Sequence, residues 1–143
     1  MVYKFKTSAA RSQLMKRIKS TNTKPELYFR KLLRKVGIEH NVNVKRLPGK
    51  PDITIPSSKI AVFIDGEFWH GYRWGIKKNK IKANRDYWIP KIEGNMTRDK
   101  RNRKLLRHEG WIVIRLWEKQ IMRSPLRSLQ KVLSKMGANE KHA

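Results

Sequence analysis

The chain is short of three things: it has no cysteine, few acidic residues and no long apolar run. The missing thiols exclude disulfides and thiolate metal sites. No apolar stretch approaches the roughly 20 residues that cross a membrane, and no signal-peptide pattern opens the sequence. We therefore expect a cytoplasmic protein with no membrane partner. Its 143 residues fit a single domain with one modest core.

Positive charge dominates what remains. Lys and Arg number 35 against 11 Asp and Glu, a formal net charge of +24, and the excess is spread along the whole chain. A polyanion is the expected partner, because each neutralised phosphate releases condensed counterions. An anionic membrane surface is the competing explanation, but the lack of a long apolar segment favours nucleic acid.

Charge and patterning divide the chain into three parts. Residues 1–22 are basic and weakly patterned, and predict an arm that contacts nucleic acid. Residues 23–137 carry the alternating and helical patterns of a folded domain. Residues 138–143 are polar and predict a frayed tail.

The sequence indicates the start of a helix at the beginning of the domain. Thr23 and Glu26 have the spacing of a capping box, with a proline tolerated in the first turn. An apolar stripe follows, and Gly37 supplies the stop. The pattern predicts a helix over 24–36.

The remaining patterns alternate between strand and helix. The segment 71–84 is basic, contains two glycines and is expected to be a loop. Strands are predicted over 38–44, 51–55, 59–65 and 111–117, and helices over 85–93, 95–108 and 126–136. This order predicts an α/β fold, with a mixed four-stranded central sheet flanked by helices.

Acidic residues stand at the ends of two neighbouring strands. Asp52 opens the strand 51–55, Asp65 ends the strand 59–65, and Glu67 follows two residues later. Adjacent strands lie only ~5 Å apart, so these carboxylates are expected to lie close together. One or two carboxylates, completed by water and substrate phosphate, suffice for magnesium. The alternative for Asp52 is a solvated turn aspartate.

One histidine is a candidate general base. Many phosphodiester-cleaving cores carry an acidic residue, a spacer and then a lysine on the second strand, but here Phe68 follows Glu67. His70 is the nearest group that could take a proton from water. The alternative is a loop histidine without a catalytic role. The other three histidines are expected to be structural or solvated.

These motifs resemble the very short patch repair (Vsr) endonucleases. The resemblance covers about residues 9–133, and a Phe-Trp-His core within ordered flanking motifs makes it specific. The matching segments are 47–52, 62–70, 87–92, Asn95, Arg98-Asp99, 110–113 and Trp117-Glu118, with Arg11-Ser12, Met15 and Ile18 in the arm.

The resemblance implies a restriction-endonuclease-like core and a Mg²⁺-dependent activity, with Mn²⁺ as a substitute. Members of the family nick one strand of double-stranded DNA 5′ to the thymine of a T·G mismatch that arises from deamination of 5-methylcytosine. A single-strand nick needs one active site, so a monomer is expected. Mismatch-repair proteins are candidate partners.

Roles follow residue by residue from the resemblance. Asp52 matches the metal-bridging aspartate, and the backbone carbonyl of Ile64 completes the metal site. His70 matches the general base and Asp99 the carboxylate that orients it, although Asp99 could instead pair with neighbouring cations. Glu26 matches an acidic residue near the metal-bound waters. Its alternative is to close the capping box, and doing both is not expected.

The resemblance also assigns contacts with DNA. Phe68, Trp69 and Trp88 match aromatics that wedge into the base stack beside the mismatch, where unstacking costs least. Core packing is the alternative for such large side chains. Further DNA contacts are expected from the arm and the basic helix, namely Arg11, Met15, Arg98 and Arg101, with the basic side chains meeting phosphate.

The chain departs from the family in two places. The familiar zinc-ligand positions carry no thiolate or imidazole, so we predict no structural zinc, with Tyr72 and Trp74 packing to hold the loop. These positions are Glu67, Tyr72, Trp74 and Lys119. Asp65 stands where a family histidine contacts DNA, and would repel phosphate unless it binds metal. It is therefore an additional candidate ligand.

Three functions remain open from the sequence. The first is a mismatch-specific nicking endonuclease. The second is a Vsr-like nuclease that cuts matched duplex DNA in a restriction, homing or mobile-element context. The third, suggested by charge alone, is a non-catalytic nucleic-acid-binding protein, for which Asp52 and His70 would be expendable.

Overall fold

The structure is a computed structural model that describes residues 21–140, with side-chain surroundings through Gly137. Almost all of the predicted arm 1–22 lies outside the described residues, and with it Arg11 and Met15. The predicted tail is described only as far as residue 140.

The described chain forms five α-helices and four strands joined into one sheet. The helices are α1 Lys24–Lys35, α2 Trp74–Lys77, α3 Arg85–His108, α4 Glu118–Arg123 and α5 Pro125–Glu140. The strands are β1 Asn41–Val42, β2 Ile53–Ile55, β3 Ile60–Asp65 and β4 Ile112–Trp117. Their order in the sheet is β1-β2-β3-β4. The predicted α/β class with a mixed four-stranded sheet and flanking helices is confirmed.

β1 pairs with β2 and β2 with β3 in antiparallel orientation, whereas β3 and β4 run parallel. A parallel pair needs a long crossover connection, which α3 provides. In the register of this pair Phe63 lies opposite Arg115, and Asp65 opposite Trp117. Because strand residues alternate between faces, these four side chains share one face of the sheet.

The opposite face of the sheet forms the hydrophobic core. Ile64, Ile114 and Leu116 are buried there against α1, α4 and α5. The other core members are Phe29, Leu33, Ile53, Ile55, Ile60, Val62, Ile121, Leu129 and Val132. The polar face is left for α3, which packs on β4. One apolar layer thus fixes the sheet, and the second layer is free to carry charged side chains.

The capping box predicted at the start of α1 is confirmed. The backbone N–H of Thr23 donates to Oε2 of Glu26 at 3.2 Å, and the N–H of Glu26 donates to the Thr23 hydroxyl at 3.4 Å. The helix ends at Lys35, one residue before the predicted end.

Several predicted boundaries were wrong. The strand expected over 38–44 is only the two exposed residues of β1, because Asn43 adopts a positive φ of 49° and departs from strand geometry, although its N–H still donates to the Asp52 carbonyl at 3.0 Å. The two helices expected over 85–93 and 95–108 are one helix of 24 residues. Gly94 lies within it in open space, where nothing forces a break. The predicted loop contains α2 and a 3₁₀ turn.

Among residues 21–140, no helix combines the length and apolar character needed to cross a membrane.

Candidate active site

Asp52 stands immediately before β2 and reaches across to β3. Its Oδ2 accepts a hydrogen bond from the backbone N–H of Ile64 at 2.7 Å. This bond fixes the carboxylate beside Ile64. The family resemblance assigns the backbone carbonyl of the same residue to the metal site. The two predicted contributors therefore come together in the structure.

Glu26 shares this environment. It is almost completely buried, closes the capping box with Thr23 and lies 3.5 Å from the guanidinium of Arg30. It also interacts with the side chain of Asp52. The capping-box role predicted for Glu26 is confirmed, and its carboxylate also lies beside Asp52 from the first turn of α1.

The pKa of Asp52 is raised from 3.8 to about 9. Burial is the largest cause, and the neighbouring carboxyls of Glu26 and Asp65 add to it, while the hydrogen bond from Ile64 acts in the opposite direction. Crowded, buried carboxyls of this kind hold a proton unless a cation neutralises them. The cluster therefore has the electrostatic character of a cation site.

His70 and Asp99 form a dyad. Nδ1 of His70 lies 2.6 Å from Oδ2 of Asp99, which is a residue of α3. Burial tends to lower the pKa of His70, but the hydrogen bond to Asp99 and the negative charges of Asp65 and Asp99 outweigh it and raise this pKa. With Nδ1–H directed at the carboxylate, Nε2 is the nitrogen left to accept a proton.

The aspartate and the dyad open onto a common cavity. Asp52, Ile64, Asp65, His70 and Asp99 all line a space of about 520 Å³. The cations at its rim are Lys45, Lys50 and Arg103. Ile64 and His70 also line a second, wider cavity of about 930 Å³ that includes Glu26, Trp69 and Glu118. A phosphate that enters between these cavities would meet acidic, basic and imidazole groups together.

The donor set fits a hard divalent cation. Carboxylate and carbonyl oxygens are the ligands that Mg²⁺ prefers, and Asp52, Glu26 and the Ile64 carbonyl are all oxygen donors. Asp65, His70 and Asp99 form a further group, with one ligand atom each within 4.8 Å of the others. Asp65, however, already has a partner: its Oδ2 accepts a hydrogen bond from Nε of Arg115 at 2.6 Å.

The three predicted wedge residues form an aromatic cluster. Phe68, Trp69 and Trp88 meet edge to face, with ring centroids 5.2 to 5.6 Å apart. Asn95 of α3 donates to the Trp69 carbonyl at 3.0 Å and ties the loop to the helix. Phe68 keeps 45% of its surface exposed, and none of the three belongs to the core on the other side of the sheet. The cluster borders the cavity through Trp69.

Each position that matches a zinc ligand of the family makes a direct contact with a neighbouring residue. The buried Glu67 accepts a hydrogen bond from the backbone N–H of Lys119 at 2.8 Å. Tyr72 packs on Trp117 with ring centroids 4.9 Å apart. The indole N–H of Trp74 donates to Glu93 at 3.0 Å. The segment 67–74 is thereby attached to β4, to the start of α4 and to α3.

The predicted phosphate contacts that the structure describes lie on α3. Arg98 is exposed and donates to Asn95 at 2.7 Å, and Arg101 is exposed. Both are available to solvent on the helix that carries Asp99.

Sequence reasoning assigned no role in the site to Arg115, Arg103 or Glu118. Arg115 interrupts the apolar strand β4, and a charged residue in such a run is the signal that could have identified it. Arg103 lines the smaller cavity. The Glu118 carboxylate lies so close to Gly66 that a Cβ there would fall 2.7 Å from its Oε1. Burial raises the pKa of Glu118, with Glu67, Glu26 and Asp65 adding to the effect.

A mixed sheet with carboxylates at its strand ends and a histidine–aspartate dyad on one face defines a nuclease of the restriction-endonuclease-like class. The family model described as DNA mismatch endonuclease Vsr matches residues 4–76. The chain belongs to this Vsr family of DNA endonucleases.

Several relatives support the assignment over most of the chain. The type II nicking enzyme V.HpaIIP of Haemophilus parainfluenzae is 46% identical over 107 residues, which is 75% of this chain and 76% of that enzyme. The type II nicking enzyme V.NmeDIP of Neisseria meningitidis serogroup C is 40% identical over 126 residues, covering 88% and 85%. The DNA mismatch endonuclease Vsr of Escherichia coli K12 is 33% identical over 111 residues, covering 77% and 70%.

Proposed function

We propose that this chain is a Mg²⁺-dependent endonuclease that nicks one strand of duplex DNA at T·G mismatches in very short patch repair. It would act in the bacterial cytoplasm, as a monomer, with mismatch-repair proteins as candidate partners. The observation that carries the proposal is the common cavity, which Asp52 and His70 both line.

The protein's own groups supply the proton chemistry. Asp99 holds His70 with Nδ1–H toward the carboxylate, at 2.6 Å, so that Nε2 is presented as a base. Nε2 would take a proton from the water that attacks phosphorus, and Asp99 would stabilise the resulting imidazolium. The cations at the cavity rim, Lys45, Lys50 and Arg103, would bind and orient the DNA phosphates.

Asp52 would hold the metal with the Ile64 carbonyl, and Glu26 lies close enough to contribute to the same acidic site. When bound, Mg²⁺ supplies charge stabilisation at the scissile phosphate. Mn²⁺ has the same preference for oxygen ligands and is the expected substitute.

Preference for a mismatch is supported by the aromatic cluster. Phe68, Trp69 and Trp88 present edges and faces of rings beside the cavity. Inserting such rings into DNA costs a few kcal/mol of unstacking for each step, and a mismatched step costs least. The wedge would therefore enter a T·G site more readily than a paired one.

The test is strand-resolved cleavage of end-labelled duplexes that differ only in a T·G or a T·A pair, with Mg²⁺ or with EDTA. We expect a single nick 5′ to the mismatched thymine, only with Mg²⁺. Asp52→Ala should reduce the rate roughly 10³-fold or more, since a metal ligand supplies several kcal/mol of transition-state stabilisation. Glu39→Ala is the matched control, because Glu39 is exposed and lines a separate cavity.

Other outcomes would identify the alternatives. Equal nicking of the T·A duplex would replace mismatch repair by cleavage of matched DNA. Cleavage that persists in Asp52→Ala would remove the catalytic assignment. Tight binding without cleavage of either duplex would leave a DNA-binding protein.

A further inference from the structure

The guanidinium of Arg115 lies between two carboxylates of the site. Its Nε donates to Oδ2 of Asp65 at 2.6 Å, and its Nη2 donates to Oδ2 of Asp99 at 3.0 Å. The same guanidinium stacks on the ring of Trp117, 4.4 Å from the centroid. The side chain is 21% exposed, so this arrangement is well shielded from solvent.

The contact with Asp99 is shared with the histidine. A single oxygen, Oδ2 of Asp99, accepts from Arg115 at 3.0 Å and lies 2.6 Å from Nδ1 of His70. The direction of this carboxylate therefore depends on both partners. Asp65 anchors the other side of the guanidinium and lies 3.7 Å from Nε2 of His70. The four side chains form one connected network around the imidazole.

The strand register explains why these groups meet. Arg115 lies opposite Phe63 in the parallel pair, so Asp65 is its diagonal neighbour on the same face. Asp99 and Arg103 approach this face from α3. A shift of one residue in β4 would turn Arg115 into the core, so the network is tied to the fold itself.

We propose that Arg115, anchored by Asp65, is a positioning residue that holds Asp99 in the orientation the His70 base requires. The inference rests on the proposed nuclease function. It also gives Asp65 a role other than metal ligand or phosphate contact: its negative charge is matched by Arg115. Two carboxylates, one guanidinium and a neutral imidazole carry a net charge of −1, which favours the imidazolium formed during proton transfer.

A lysine could not replace the arginine fully. The guanidinium is planar and presents two donors in a fixed geometry to two different carboxylates, whereas an ammonium is a compact point charge. Arg115→Lys should therefore keep the positive charge and lose part of the control over the orientation of Asp99. Arg115→Gln should lose both.

The experiment measures single-turnover nicking and DNA affinity separately on one mismatched duplex. Arg115→Gln should slow the nicking step roughly 10²-fold, the cost of a misplaced catalytic group, while the Kd for DNA changes less than about 3-fold. Arg115→Lys should lie between this variant and the wild type. Arg127→Gln is the matched control, because Arg127 is exposed on α5 and its loss removes the same charge.

A double-mutant cycle tests the anchoring. Asp65→Asn alone should slow nicking, and adding it to Arg115→Gln should cost little more, since the two changes break one interaction. Independent, multiplicative losses would contradict the network. So would a Kd that rises by the same factor as the rate falls, which would make Arg115 a DNA contact. Loss of Mn²⁺ binding in Asp65→Asn, measured by electron paramagnetic resonance, would make Asp65 a metal ligand and overturn the proposal.

A spectroscopic measurement separates this inference from the nuclease assignment. The Nδ1 proton of His70, held by Asp99, should give a downfield proton resonance in the wild type that disappears or moves strongly upfield in Arg115→Gln. Arg115→Lys guards against a folding defect in the glutamine variant. If the wild type fails to nick DNA but the resonance responds as expected, the function is wrong and the positioning network stands. An unchanged resonance would overturn the network whatever the activity.

Discussion

Oδ2 of Asp52 accepts a hydrogen bond from the backbone N–H of Ile64 at 2.7 Å. This bond crosses from the residue before β2 to β3. The sequence alone could bring these two residues near each other through strand pairing. Only the structure shows that the side chain of one is oriented by the backbone of the other.

Asp52→Asn should stabilise the metal-free protein. In the folded wild type the pKa of the Asp52 carboxyl is about 9, above the ordinary 3.8. Between pH 3.8 and pH 9 the folded protein therefore binds a proton that the unfolded chain has released. The free energy of unfolding must therefore fall as the pH rises through this window. The asparagine keeps the acceptor for Ile64 and removes this loss, so near pH 7.5 the variant should be more stable than the wild type by at least ~1–2 kcal/mol.

Chemical denaturation in EDTA at several pH values measures this effect. The advantage of Asp52→Asn should shrink toward pH 4, where both side chains are uncharged, while nicking with Mg²⁺ is lost at every pH. A variant that is less stable than the wild type near pH 7.5 would contradict the crowded acidic cluster.

Asp99→Asn should change both the rate and its pH dependence. The nicking rate should fall roughly 10²–10⁴-fold, because the imidazole loses the group that fixes its tautomer and stabilises its charged form. Burial lowers the pKa of His70, and the Asp99 hydrogen bond and charge raise it. Without that charge the pKa drops, so the acidic limb of the rate profile should move to lower pH.

The control for this profile is Asp86→Asn, which removes a carboxylate from the exposed first turn of the same helix. It should leave the midpoint of the acidic limb in place. A midpoint that stays fixed in Asp99→Asn as well would mean that another group governs the titration.

Phe68→Ala should weaken discrimination between mismatched and matched DNA. Phe68 is 45% exposed and packs edge to face on Trp69 and Trp88. Stacking of one aromatic ring on a base contributes ~1–3 kcal/mol, so nicking efficiency at T·G should fall by roughly 5- to 100-fold. Competition between T·G and T·A duplexes in one reaction measures the ratio.

Leu126→Ala provides the comparison, because Leu126 is a 73% exposed apolar residue of α5 outside the aromatic cluster. The ratio of T·G to T·A nicking in Leu126→Ala should match that of the wild type. An equal loss of nicking on both duplexes in Phe68→Ala would assign the ring to general DNA binding and not to mismatch selection.

Glu67→Ala should destabilise the fold by ~1–3 kcal/mol, since it removes the buried carboxylate that accepts the N–H of Lys119. Urea denaturation measures the change, and Glu39→Ala should cause almost none. Elemental analysis of the wild type should find no zinc, and a zinc chelator should leave the unfolding midpoint unchanged. A midpoint that drops with the chelator would show that the contacts of Glu67, Tyr72 and Trp74 do not suffice to hold the loop.

Local patterns predicted the elements better than their ends. The capping box of Thr23 and Glu26 gave the start of α1 because its signal lies within four residues. The edge strand β1 was overestimated, since alternation in an exposed segment says little about how far pairing extends. The two predicted helices around Gly94 are one helix, because packing of α3 on the sheet outweighs the weak helix propensity of glycine.

The candidate site was likewise only partly predictable from the sequence. Asp52, His70 and Asp99 were identified by motif, and they line one cavity. Arg115 was not identified by motif. Its role depends on its position diagonal to Asp65 across a parallel strand pair and beneath α3. Single-sequence patterns do not encode such a juxtaposition. Glu26 was treated as a choice between two roles because sequence spacing cannot show that one buried carboxylate reaches two neighbours.

The parallel pairing of β3 and β4 has a consequence for how the chain folds. Asp65 and Arg115 are 50 residues apart in the sequence and meet only after the crossover helix has docked. Contacts of such long separation form slowly, because the intervening chain must be closed into a loop first. A refolding molecule therefore regains its helical signal early, and the ability to act on DNA returns as one of the last events.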